Sequence, residues 1–194
     1  FLLGQIVERV SGETLGRFAD SNMFGPLGMK DSYFNDRGVE VVPNGADGYL
    51  TLPDGRVLVY NTDLNMVGED GVYTTLEDFL RWDSNFYANV LNDSDPGLIQ
   101  LITTPDTFVR RDGPEDRLVH GSRYAFGLQI RDDGPRTVHF HSGWYVGFRS
   151  HARRYPKMRF SVVLLCNTPQ LEPWELAGRI TGIFKPELGA MNGL

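Results

Sequence analysis

Residues 138 to 150 read VHFHSGWYVGFRS, two histidines one residue apart followed by serine, glycine and two aromatics. Serine beside histidine is the pairing from which a nucleophile and its base are made. Two histidines at i and i+2 of a strand share a face and could begin a metal site. Strand geometry weakens the first idea, because successive side chains point to opposite faces and His141 is badly placed to take a proton from Ser142. The second lacks a third ligand. Neither His120, His151 nor Cys166 stands at a recognisable ligand spacing from His139 and His141, so no metal is expected. A hydrogen-bonded place in a sheet stays open for both histidines.

The rest of the chain displays no nucleophile of its own. There is no Gly-x-Ser-x-Gly elbow, and no serine has a lysine three residues later. Two Tyr-x-Asn triplets, Tyr33 to Asn35 and Tyr87 to Asn89, are so short that chance explains them. Gly68 and Gly71 in GEDGVYTT either border a site or permit the turn before a helix, and the turn is the favoured reading. No cofactor is expected.

The elements that position VHFHSGWYVGFRS are legible from periodicity. FLLGQIVERVSG places Leu2, Leu3, Ile6, Val7 and Val10 at helical spacing with no lead-in, so the chain is expected to begin inside a helix, as a fragment. Leu15, Phe18, Ala19 and Met23 mark a second helix, stopped at FGPLGM. Residues 30–66 read as loop and short strand, with one hairpin around GRVLVY. Thr75 is a helix cap with Asp78 three residues on, and Leu76, Phe79, Leu80, Phe86 and Tyr87 form its apolar side. From residue 124 the period becomes that of strands: YAFGLQIRD, RTVHFHSG, WYVGFRSHARRYP and MRFSVVLLCN predict an antiparallel meander. EPWELAGRITGIF then predicts a helix covering the sheet through Trp174, Leu176, Ala177, Ile180, Ile183 and Phe184. Helices first and strands later make the fold class α+β, an antiparallel sheet flanked by helices, with no second domain boundary. Residues 1–110 are mainly helix and loop, and 120–194 are strands plus the last helix.

Composition excludes some partners. With 41% hydrophobic residues in 194, the chain can bury a sizeable core. A net charge of -6 argues against a nucleic-acid surface, and Arg149, Arg153 and Arg154, its only basic cluster, are expected on a solvated strand face. The single cysteine, Cys166, lies in the apolar run FSVVLLCN and reads as an inert core residue.

Taken in order, FLLGQIVERVSG, FGPLGMKDSYF, GEDGVYTTLEDFLRW, YAFGLQI, HSGWYVGFRS and FSVVLLCN resemble the serine β-lactamase and penicillin-binding protein superfamily, in its class C β-lactamase-like, D-alanyl-D-alanine carboxypeptidase and esterase branch. The resemblance spans almost the whole chain. It implies a β-lactamase/transpeptidase-like fold incomplete at its N-terminus. It also implies a serine hydrolase that cleaves an amide or ester through an acyl-enzyme, with the nucleophile missing from this chain. In that family a strand bordering the active site carries Lys-Thr-Gly or His-x-Gly, which His141, Ser142 and Gly143 match. By resemblance, His141 donates to the substrate or steers a proton, Gly143 lets the substrate backbone approach, and the N–H of Trp144 is one oxyanion donor. Trp144 and Tyr145 either stack on the substrate or pack. The partners implied are a small-molecule or peptide substrate, the missing N-terminal segment of the same protein and, for the fragment alone, further copies of itself. An extracytoplasmic location follows from the resemblance only. The competing reading is a non-catalytic binding module on the same scaffold.

Overall fold

The computed structural model describes residues 1–36, 41–61, 67–93, 95–105, 122–132 and 134–188; His120 lies outside them. The chain divides into two units, one made of residues 1–45 and 62–98, the other of residues 46–61 and 99–194.

In the first unit, α1 (Leu2–Ser11) ends at Gly12, whose φ of 75° lets its N–H close back on the Glu8 carbonyl at 2.9 Å. Thr14 caps α2 (Leu15–Ala19) by accepting from the Arg17 N–H, and a π-turn over Asp20–Phe24 leads into α3 (Gly25–Leu27). Ala19, Phe24, Leu27 and Met29 form a core against which Met23, Phe34, Trp82 and Leu91 pack. β1 (Tyr33–Phe34) pairs antiparallel with β4 (Val72–Tyr73), and Tyr33 stacks on Tyr73 with ring centres 5.6 Å apart. Gly68 and Gly71 have φ of 105° and 84°, values that explain both glycines as turn residues.

Thr75 caps α4 (Leu76–Ala88) as expected, accepting from the Asp78 N–H at 3.2 Å. The buried side of this helix differs from expectation. Leu76 and Leu80 are exposed, while Asp78, Asn85 and Phe86 are buried. Polar atoms are placed inside because they serve neighbouring backbone. The Asp78 carboxylate accepts from the Asp31 N–H at 2.7 Å and from Ser32 Oγ at 2.8 Å, and Asn85 Oδ1 accepts from the Leu91 N–H at 3.2 Å. Asn89, the last residue of the second Tyr-x-Asn triplet, is the left-handed cap of the helix, with φ 53°. A short helix, α5 (Gly97–Ile102), follows.

In the second unit, β2 (Tyr49–Thr51) and β3 (Val57–Val59) form the expected hairpin. The main sheet is a five-stranded antiparallel meander in the order β5-β6-β7-β8-β9. Its strands are β5 (Arg123–Tyr124), β6 (Gln129–Arg131), β7 (Val138–Tyr145), β8 (Phe148–Tyr155) and β9 (Phe160–Cys166). The sequence runs RTVHFHSG and WYVGFRSHARRYP hold two strands as expected, but their boundary falls later, and YAFGLQIRD, expected as one strand, is divided between the end of β5 and β6. β7 continues through Trp144 and Tyr145, and the turn falls on Val146 and Gly147, with Tyr145 opposite Phe148. Gly147 is required there by close approach, because a Cβ would meet the Tyr60 carbonyl and lie 2.8 Å from Gly48 Cα.

Alternation along β7 and β8 brings Val138, Phe140 and Tyr155 to one face, where they form a core with Leu188 from the turn Pro186–Leu188, with Met158 and Phe160 against it. α6 (Pro173–Phe184) covers this face through Pro173, Ala177 and Thr181, one every four residues. Ile183 and Phe184, expected in the covering face, are instead exposed, since the seam is narrower than the apolar stripe of the sequence. The arginine cluster is also corrected: Arg149, Arg153 and Arg154 are 9%, 3% and 6% exposed, not a solvated face. Cys166 is half-buried, and burial raises its thiol pKa. Among the described residues no helix is long and apolar enough to cross a membrane.

Candidate active site

The five residues singled out by sequence, His141 to Tyr145, are consecutive on β7, and alternation divides them between two faces. Pairing of β7 with β6 stops at Phe140, so from His141 onward that edge of the strand has no strand partner among the described residues. His141 is exposed there. Its Nδ1 lies 2.8 Å from the Ser142 carbonyl oxygen and its Nε2 3.2 Å from the Tyr124 hydroxyl. A carbonyl only accepts, so Nδ1 carries a hydrogen, and in the neutral ring Tyr124 donates to Nε2. Tyr124 also meets the His141 ring edge-on, with ring centres 6.0 Å apart.

His139, two residues back on the same face, is in a different environment. Burial, reinforced by the Arg154 charge and opposed by Asp132, lowers its pKa from 6.5 to about 4. It is therefore neutral at neutral pH. No group of three or more His, Cys, Asp or Glu side chains among the described residues is placed to hold a metal ion.

Ser142 projects to the opposite face from His141, where its register partner on β8 is His151. Ser142 Oγ lies 2.8 Å from His151 Nδ1; the Arg153 Nε–H donates to His151 Nε2 at 3.0 Å, and Arg153 Nη2 donates to the Trp174 carbonyl of α6 at 2.7 Å. His151 is 2% exposed, and burial first, then the Arg153 and His141 charges, lower its pKa from 6.5 to about 3. A Cβ on Gly143 would run into Ser150 Oγ on β8, a contact that rotation of the serine side chain can relieve. Trp144 is 75% exposed, with the Arg149 guanidinium carbon 3.7 Å over its ring centre. Tyr145 is half-buried at the end of the strand.

Sequence reading did not assign a role to Tyr124, His151, Arg153 or Arg149. A signal for His151 and Arg149 existed. A two-residue turn at Val146 and Gly147 puts Ser142 opposite His151 and Trp144 opposite Arg149, but that register is visible only once the turn is located.

The family model for Beta-lactamase matches residues 1–180. The chain belongs to the beta-lactamase family. Within it, the chain is 25% identical over 166 residues to a D-aminopeptidase of Gluconobacter oxydans, covering 86% of this chain and 30% of that protein. The octameric penicillin-binding protein homologue from Pyrococcus abyssi superposes with a TM-score of 0.82 at 22% identity, over 99% of this chain and 42% of that one. The D-stereospecific amidohydrolase from a Streptomyces species superposes at 0.70 and 15% identity, over 94% of this chain and 52% of that one. At such identities the two structures establish the α+β fold of this beta-lactamase-family chain, which spans less than a third of the length of the curated relative.

Proposed function

We infer that the chain is the C-terminal portion of one serine hydrolase domain of the β-lactamase and penicillin-binding type, cleaving an amide or ester through an acyl-enzyme. The attacking serine would come from outside these 194 residues. The observation that carries this reading is the stretch His141–Ser142–Gly143, on a strand edge without a partner among the described residues, in a chain of this family. Such an edge can receive an extended substrate backbone by main-chain hydrogen bonding. His141 then donates to the substrate or steers a proton, together with the Tyr124 hydroxyl that meets its Nε2. The N–H of Trp144 is one oxyanion donor, and the exposed indole lines the substrate. Relatives named D-aminopeptidase and D-stereospecific amidohydrolase favour an amide whose acyl part is a D-amino acid over a β-lactam. An extracytoplasmic location belongs to the same reading.

The test is covalent labelling of the complete polypeptide with a fluorescent penicillin or a fluorophosphonate and, on separate unlabelled protein, hydrolysis of D- and L-amino acid amides. Labelling of a single serine and faster turnover of the D-amide are expected. A folded protein that takes no label would be a binding module. In the unlabelled complete polypeptide, His141→Ala is expected to lower kcat roughly 100-fold with the fold intact.

A further inference from the structure

Ser142 and His151 have the separation of a nucleophile and its base, but the hydrogen-bond polarity is the reverse of what a base requires. Arg153 has donors and no acceptor, so its bond to His151 Nε2 runs from guanidinium to ring. Nε2 is therefore the unprotonated nitrogen, and a neutral imidazole then carries its hydrogen on Nδ1. That Nδ1–H donates to Ser142 Oγ at 2.8 Å, which leaves the serine's own proton to point away from the ring, on an exposed residue. A general base needs the opposite arrangement: a bare nitrogen toward the serine and an acceptor, usually a carboxylate, behind the ring.

We propose that His151 and Arg153 are positioning residues that hold Ser142 as a hydrogen-bond donor toward an acceptor oxygen of the substrate, not as a nucleophile. The proposal rests on β7 being the substrate strand. The relay is fixed at its far end, because Arg153 Nη2 is tied to the Trp174 carbonyl in the first turn of α6, so that helix sets the ring's position through the guanidinium. Burial keeps both groups of the relay out of water, with His151 at 2% and Arg153 at 3% exposure. An imidazole neutral down to about pH 3 keeps the same polarity throughout the physiological range. A carbonyl or carboxylate oxygen of the substrate can take the serine's one proton, whereas a group that only donates, such as an ammonium, finds one of the two lone pairs already used by Nδ1–H.

Two measurements on the complete polypeptide test this. Ring nitrogen NMR of histidine-labelled protein is expected to show His151 with its hydrogen on Nδ1, and a hydrogen on Nε2 overturns the proposal whatever the activity. In amide hydrolysis, His151→Leu is expected to lower kcat/KM roughly tenfold, more through KM than kcat, the loss of about one oriented hydrogen bond. His151→Asn, whose amide N–H can stand where Nδ1–H stood, should recover most of it. In a Ser142→Ala background His151→Leu should cost nothing further, and an equal loss in both backgrounds makes the ring merely structural and sinks the relay. If instead Ser142→Ala itself leaves the kinetics unchanged, the substrate-strand reading fails and the relay's role fails with it, while the tautomer stays a measured fact. Should His151→Leu not fold, the NMR result on the unaltered protein decides.

Discussion

At Gly143 an added Cβ would meet the Ser150 hydroxyl, the rotatable end of a side chain, while Ser150 Cβ itself lies at an ordinary 3.7 Å. Gly143→Ala should therefore cost at most about 1 kcal/mol for displacing that hydroxyl, and what is lost should return when Ser150→Ala is added. Urea unfolding measures the rescue. Activity that stays low in the stable double variant would assign the glycine to substrate approach as well, and activity that returns would leave packing as its whole purpose. The two neutral histidines make a second prediction at this scale. His139 and His151 are held at about 4 and about 3 in the fold, both depressed from 6.5. As pH falls below 6.5 the unfolded chain takes up protons that the folded one refuses, so the unfolded state binds more protons and stability falls with pH. Each histidine contributes up to about 1.4 kcal/mol per pH unit, over the window from 6.5 to about 4 for His139 and to about 3 for His151. The urea midpoint should drop between neutral pH and about pH 5, and replacing both histidines by glutamine should flatten that slope. A slope unchanged by the replacement would place the acid sensitivity elsewhere.

Among the elements, α4 depends more on a buried carboxylate than on its apolar stripe. Asp78 is 3% exposed and accepts from the Asp31 backbone and the Ser32 hydroxyl, anchoring the segment before β1 to the first turn of the helix. Asp78→Ala should cost about 3 kcal/mol, because both donors lose a charged acceptor, and Thr75→Ala about 1 kcal/mol for the cap alone. Thermal or urea unfolding of the two variants checks the order, and equal costs would mean that capping is all this turn supplies. The turn joining β7 and β8 presents a backbone constraint instead. Val146 sits at φ 45°, an unusual value for a β-branched residue, and Gly147 lies against Gly48 at the foot of the β2–β3 hairpin. These two positions fix where the hairpin turns, and hence which β8 side chain Ser142 meets.

At the scale of the whole molecule, the exposed apolar surface is uneven. Leu2, Leu3 and Val10 of α1 are 75%, 76% and 82% exposed, and Ile183 and Phe184 of α6 are 73% and 70% exposed. The 194-residue chain on its own is therefore expected to self-associate, since apolar patches of this kind seek cover. Sedimentation velocity should show oligomer or aggregate that recedes when Leu2, Leu3 and Val10 are made polar, and a dispersed monomer would refute it. By itself the sequence determined several elements: the capped helix at Thr75, the glycine that ends α1, the hairpin around GRVLVY, the antiparallel meander apart from the division of YAFGLQIRD into β5 and β6, and the final helix. These are set by periods of two and 3.6 residues and by caps and turns, all written within a few neighbouring positions. It also singled out His141, Ser142 and Gly143, because a recurrent motif is a local string. Only the tertiary structure decided that Arg149, Arg153 and Arg154 are buried, that Asp78 and Asn85 face inward while Leu76 and Leu80 face out, and that His151 rather than His141 serves Ser142. The physical reason is that burial and cross-strand partnership depend on register, and moving the turn after Tyr145 by one residue would bring a different side chain opposite Ser142.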